Sequence, residues 1–119
     1  MISTPEPKSF ERHCAEPWLS HIASGRKQVE GRLKRSIFAE LCPGDTVTWY
    51  DGDLRVPTRI VTTRFYSSFK DMLTAEGLEN VLPEPGVNTL EDGVNVYRQY
   101  FSEEDEKLCG VLAVQVALL

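Results

Sequence analysis

The chain has 119 residues, 41% hydrophobic and 26% charged, enough for one domain around one core. No apolar run reaches the ~18–20 residues of a membrane helix, and the start, MISTPEPKSFERH, carries no apolar stretch of a secretory signal. The net charge of −5 argues against nonspecific nucleic-acid binding, but it is unevenly spread: residues 1–35 carry +3, residues 36–65 carry −1 and residues 66–119 carry −7.

In chain order, residues 1–14 read as a flexible, polar, proline-containing lead-in, and residues 15–119 as the folded domain. Glu16-Pro17 opens a short helix, because proline lacks an N–H that would have no partner there. Trp18, Leu19 and Ile22 share its apolar face, and Gly25 suits the left-handed residue after its end. Residues 27–34 then alternate, with Val29, Gly31 and Leu33 on one side and Gln28, Glu30, Arg32 and Lys34 on the other. That is a strand with one buried and one polar face. Residues 36–41 suggest a short helical turn, Pro43-Gly44-Asp45 a turn, and residues 46–50 a strand. Asp51-Gly52 is a hairpin signal, and residues 54–66 form its long second arm.

Ser68 and Asp71 make a capping box for a helix ending near Glu76-Gly77. The loop 82–86 is rich in proline and glycine. Thr89 and Asp92 make a second box for a helix running to about Tyr100, and Ser102 starts one more short turn. Residues 110–119 are almost uniformly apolar, as a strand buried on both faces would be. Strands flanking a helical insertion indicate an α+β domain built on a small barrel.

Three cysteines, Cys14, Cys42 and Cys109, lack CxxC spacing, and His13 and His21 have no partner at ligand spacing. Neither a disulfide framework nor a metal site is expected, no cofactor is called for, and the reducing cytosol or nucleus is the expected compartment. The basic charge gathers in residues 25–35, GRKQVEGRLKR, with five cations against one acid. Such a strip attracts phosphate even on an acidic domain.

Two segments carry a family resemblance. Residues 24–33, SGRKQVEGRL, contain the pattern Gly-x-Lys-x-x-Glu-x-Arg. Residues 69–83, followed by EDGV at 91–94 and YRQYFSEEDEK at 97–107, form the second. Together, from about Trp18 to Val116, they resemble the ASCH (activating signal cointegrator homology) family, and specifically its longer subgroup. The resemblance implies a PUA-like small mixed β-barrel with flanking short helices and a helical insertion before the last strand. It also implies a cleft lined by the signature residues and a role in RNA metabolism, with RNA or a modified nucleoside as the partner and no membrane.

One bacterial branch of the family is an amidohydrolase on N4-acetylcytidine, using a Lys, a Thr three residues later and a Glu from the insertion. The corresponding positions here are Lys27, Glu30 and Glu79. A glutamate therefore stands where that branch has its nucleophile, and the hydrolytic alternative would have Lys27 polarise a carbonyl, Glu30 activate water and Glu79 move leaving-group protons. Other branches are linked to RNA cleavage and to coactivator proteins, which makes a ribonuclease and a protein-interaction module the remaining alternatives.

For Lys27 and Glu30 to meet, Lys27 must precede the regular strand or the strand must bulge, since alternation separates them. Otherwise they form a surface ion pair. Arg32 offers a fork for phosphate or a base edge, or simply orients Glu30. Arg64, Tyr66 and Ser68 surround a helix start, where an anion could bind or the serine could merely cap. Arg98 is a candidate phosphate contact, whereas Tyr97 reads as core with Val94 and Phe101. Glu79 is expected in a loop after a helix end. A monomer is the default expectation.

Overall fold

A computed structural model describes residues 6–119. Residues 1–5 of the expected lead-in lie outside the described residues. The rest of it is not loose: Ser9–His13 form strand β1, parallel to a later strand. Its sequence, SFERH, has only Phe10 to offer the core, so composition gave no strand signal. Backbone pairing supplies it, extended by hydrogen bonds from Thr46 N to Lys8 O (2.9 Å) and from Cys14 N to Tyr50 O (2.9 Å).

The remaining strands are β2 (Val29–Leu33), β3 (Thr46–Asp51), β4 (Leu54–Tyr66) and β5 (Val111–Leu118). They form one mixed five-stranded sheet in the order β1-β3-β4-β5-β2. The Asp51-Gly52 hairpin joins β3 to β4 as its sequence predicts, with Gly52 at φ +58°. Strand β5 is internal, between β4 and β2, which is why Val111–Val114 are buried on both faces. Between Ile60 and Thr62 a bulge shifts the β4–β5 register, a device that bends a sheet toward a barrel. The architecture is the expected α+β fold, a small mixed barrel-like sheet with short helices.

Helix α1 (Trp18–Ala23) links β1 to β2 and buries Trp18, Leu19 and Ile22. A 3-10 turn at Ser36–Ala39 precedes β3. Four helices fill the insertion between β4 and β5: α2 (Phe69–Glu76), α3 (Leu78–Val81), α4 (Leu90–Arg98) and α5 (Glu103–Cys109). Ser68, Thr89 and Ser102 cap α2, α4 and α5 by accepting the amides of Asp71, Asp92 and Asp105. Helix α3 was not legible, because its four residues are too few to show periodicity. Helix α4 stops at Arg98, short of Tyr100. The core includes Trp49, whose Nε1 donates to Thr58 Oγ1 (2.9 Å), while Thr58 Oγ1 donates to Val47 O (2.8 Å). No helix among the described residues is long and apolar enough to cross a membrane.

Candidate functional site

Strand β2 is the hinge between fold and site. It pairs along β5, with Glu30 opposite Val114 and Arg32 opposite Leu112. Its polar face was expected at the solvent. Instead Glu30 is only 5% exposed, with Cys14, Lys27 and Arg32 packed around its carboxylate.

Lys27 precedes the regular strand, so its side chain turns inward and meets Glu30. Lys27 Nζ lies 3.2 Å from Glu30 Oε1 and donates to the carbonyls of Val29 (2.8 Å) and Val81 (2.5 Å). All of these partners are buried, and the ammonium is fully enclosed. Lys27 thus fastens β2 to α3. On the other side, Arg32 donates to Glu30 Oε2 through Nε (3.3 Å) and Nη2 (3.0 Å), and Nη2 also donates to His13 O (2.7 Å). The guanidinium lies over the rings of Trp49 (5.1 Å) and Phe38 (5.4 Å), a contact that favours a cation. Gly31 N and Cys14 Sγ complete the shell around the carboxylate at 3.0 and 3.4 Å.

Five donors thus converge on the roughly four lone-pair sites of one carboxylate. Burial pushes the Glu30 carboxyl up, but Lys27 and Arg32 together outweigh it and hold it at about 2. The neighbouring Cys14 thiol is pushed up by burial and by the Glu30 charge, which makes it an inert thiol rather than a nucleophile. Counting formal charges, two cations and one anion leave the group at +1.

Glu30, Gly31 and Arg32 form one wall of a cavity of about 220 Å³, and His13, Cys14, Trp18, Leu82, Tyr97, Tyr100 and Phe101 are among the other residues around it. Sites that bury drug-sized ligands enclose ~300–1,000 Å³, so this one suits a single ring system. Tyr97, read from the sequence as core, stacks on Phe69 at 4.2 Å and 8°, yet it also lines the cavity. Its hydroxyl is the buried side-chain oxygen or nitrogen without a hydrogen-bond partner among the described residues. Nothing in the apolar spacing of α4 could reveal that. Trp18, Tyr100 and Cys14 likewise reach the cavity from three different segments.

The other residues singled out from the sequence lie elsewhere. Arg64 makes a two-pronged pair with Glu76, through Nε and Nη2 at 2.6 Å each, and Tyr66 donates to the same carboxylate at 2.6 Å. Ser68 is a cap, and the α2 amide at Phe69 is taken by Glu106 Oε2 (2.7 Å). The anion site expected at that helix start is filled from within. Arg98 donates to the other oxygen of Glu106 (2.6 Å), tying α4 to α5. Glu79 sits in α3 rather than in a loop, exposed beside a shallow groove with Arg26, Pro83 and Glu84. Only Glu30 and Arg32 of the sequence-derived set line this cavity, and Lys27 pairs with Glu30 without lining it.

A comparison with curated proteins finds no match. Two solved structures are close. The crystal structure of hypothetical protein PH0355 has 40% identity and a TM-score of 0.85, covering 93% of this chain and 99% of its own. The solution structure of protein PF0455 from Pyrococcus furiosus has 39% identity and a TM-score of 0.76, covering 93% and 97%. The model of the ASCH domain matches residues 13–118, spanning β1's last residue through β5, so the chain belongs to the ASCH domain family.

Proposed function

We propose that this ASCH domain binds RNA or a modified nucleoside by taking one base into the cavity beside Glu30 and Arg32. The observation that carries this reading is the buried Lys27–Glu30–Arg32 group, cationic overall, in the wall of a small cavity with aromatic lining. Rings on Trp18, Tyr100 and Phe101 suit a flat base, and splayed-out bases are the usual target of sequence-reading RNA domains. Phosphates would find the exposed cations Arg26, Lys34 and Arg35 of the basic strip nearby in sequence.

The hydrolytic alternative gains less support. A general base works best with its pKa near the working pH, whereas Glu30 is held at about 2 and its lone pairs are occupied. Lys27 has no free donor to offer a substrate carbonyl.

The test is titration of the four common nucleosides, N4-acetylcytidine and short single-stranded RNA into the protein, followed by calorimetry. Binding of at least one, weakened about tenfold or more in Arg32→Ala with the fold retained, is the expected result. Absence of binding by all of them to folded wild type overturns the reading. Cytidine release from N4-acetylcytidine, measured alongside, is expected to be absent.

A further inference from the structure

A second aromatic feature lies outside the cavity. Phe65, the last residue but one of β4, is 56% exposed. An exposed ring by itself means little; its setting is what matters here. A Cβ on Gly110 would lie 2.3 and 2.5 Å from two carbons of the ring, and Gly110 sits at φ +72°. The ring therefore rests on main chain, at a place where glycine alone lets it approach. Lys34 N donates to Gly110 O (3.0 Å), which brings the end of the basic strip beside it.

Two consecutive cations of that strip each stand over an aromatic ring. Lys34 Nζ lies 5.1 Å from the Phe65 centroid, and the Arg35 guanidinium lies 6.0 Å from that of Phe101. Phe101 lines the cavity, and its neighbour Tyr100 is 48% exposed. Consecutive Cα atoms are about 3.8 Å apart, so the Lys34-Arg35 step joins a ring of the cavity to the ring outside it. Both cations are exposed. Arg35 shares its charge with Asp105, whereas Lys34 has no ion-pair partner among the described residues. Of the neighbouring acids on α5, Glu103 and Glu106 are taken up by Arg98.

We propose that Phe65 and Lys34 form a second stacking site for single-stranded RNA, so that the domain takes an oligonucleotide across the cavity rim rather than a lone nucleoside. This inference rests on the proposed base-binding function and extends it. Exposed rings alternating with cations suit a single strand, because bases stack on the rings and phosphates meet the cations. One base occupies the cavity, which has room for a single ring system, and a base further along the strand stacks on Phe65. Lys34 then leaves the ring for the adjoining phosphate. A cation–π contact at an exposed site is weak enough to give way, and the lysine stem is flexible enough to follow. Charge decides for RNA over an apolar protein partner, because the ring is reached past an unpaired cation.

The experiment measures fluorescence anisotropy of a labelled single-stranded RNA of mixed sequence at several salt concentrations, beside calorimetry with the four nucleosides. Wild type, Phe65→Ser and Lys34→Ala are compared, with thermal melting to check the fold. Wild type is expected to bind the RNA more tightly than any nucleoside. Phe65→Ser should lose roughly 5- to 100-fold in RNA affinity and leave nucleoside affinity unchanged. Lys34→Ala should lower the slope of log affinity against log salt by about 0.7, the loss of one phosphate contact on a single strand. Unchanged RNA affinity in Phe65→Ser, or RNA bound no better than a nucleoside, overturns the inference and leaves base binding in the cavity standing. Self-association of wild type that Phe65→Ser abolishes, with RNA affinity unchanged, assigns the patch to a second copy and overturns it too. If Phe65→Ser fails to fold, an unchanged salt slope in Lys34→Ala overturns the inference. If folded wild type binds no nucleoside and no RNA, the function fails and the inference falls with it.

Discussion

Two arginine–glutamate clusters lie two strands apart, Gly31 of β2 and Arg64 of β4 both pairing with Ala113 of β5, and they contrast sharply. In the first, Glu30 lies between Lys27 and Arg32, all three largely shut off from water. In the second, Glu76 takes Arg64 and Tyr66, with the Arg64 side chain 36% exposed. Both pairs are close and well aligned. Hydrogen bonds from Arg64 outweigh burial and lower the Glu76 carboxyl, as the cations lower Glu30. The difference lies in what happens when the anion is lost: buried cations stay stranded, whereas a half-exposed arginine swings into water. The first cluster also lines the cavity, through Glu30 and Arg32.

The sharpest way to break the contrast is Glu30→Gln. It strands Lys27 and Arg32, and chemical denaturation should show a loss of roughly 3–5 kcal/mol. The same variant fixes the pH behaviour. Glu30 titrates at about 2 in the folded chain against an ordinary 4.5, so its contribution is complete above about 4.5 and is lost as pH falls toward 2. The stability gap between wild type and Glu30→Gln should therefore narrow across that window. A gap that stays constant would mean the carboxylate's charge is not what stabilises the cluster.

Gly31→Ala comes next. The added methyl meets Tyr97 and Met72, and overpacking of this kind costs roughly 1–3 kcal/mol, readable as a lower denaturation midpoint. Glu76→Gln should cost the least, about 1 kcal/mol, and leave nucleoside affinity at the wild-type value. The two carboxylates are about equally buried, at 6% and 7% exposure, so if it costs as much as Glu30→Gln, burial of the cations is not what separates the two clusters. If it weakens binding, the second cluster belongs to the site after all.

Much of the fold was legible because its signals are local. Alternation marked β2, Asp51-Gly52 marked the β3–β4 hairpin, and Ser68, Thr89 and Ser102 marked three helix starts. Strand β1 was not, since a strand made by pairing with β3 needs no apolar run of its own. Of the candidate site residues, the motif brought Lys27, Glu30 and Arg32 into one group, whereas Arg64, Tyr66, Ser68, Glu79 and Arg98 lie in other clusters.

The sequence by itself determined most of the elements, the family pattern and the identity of the charged trio, because hydrogen bonding, capping and alternation act over a few residues. Only the tertiary structure decided which face of β2 is dry, that Tyr97 carries an unpartnered hydroxyl, and that Cys14, Trp18 and Tyr100 share a cavity with Glu30. Burial and polar satisfaction depend on segments remote in the chain, and no local spacing records where those segments meet.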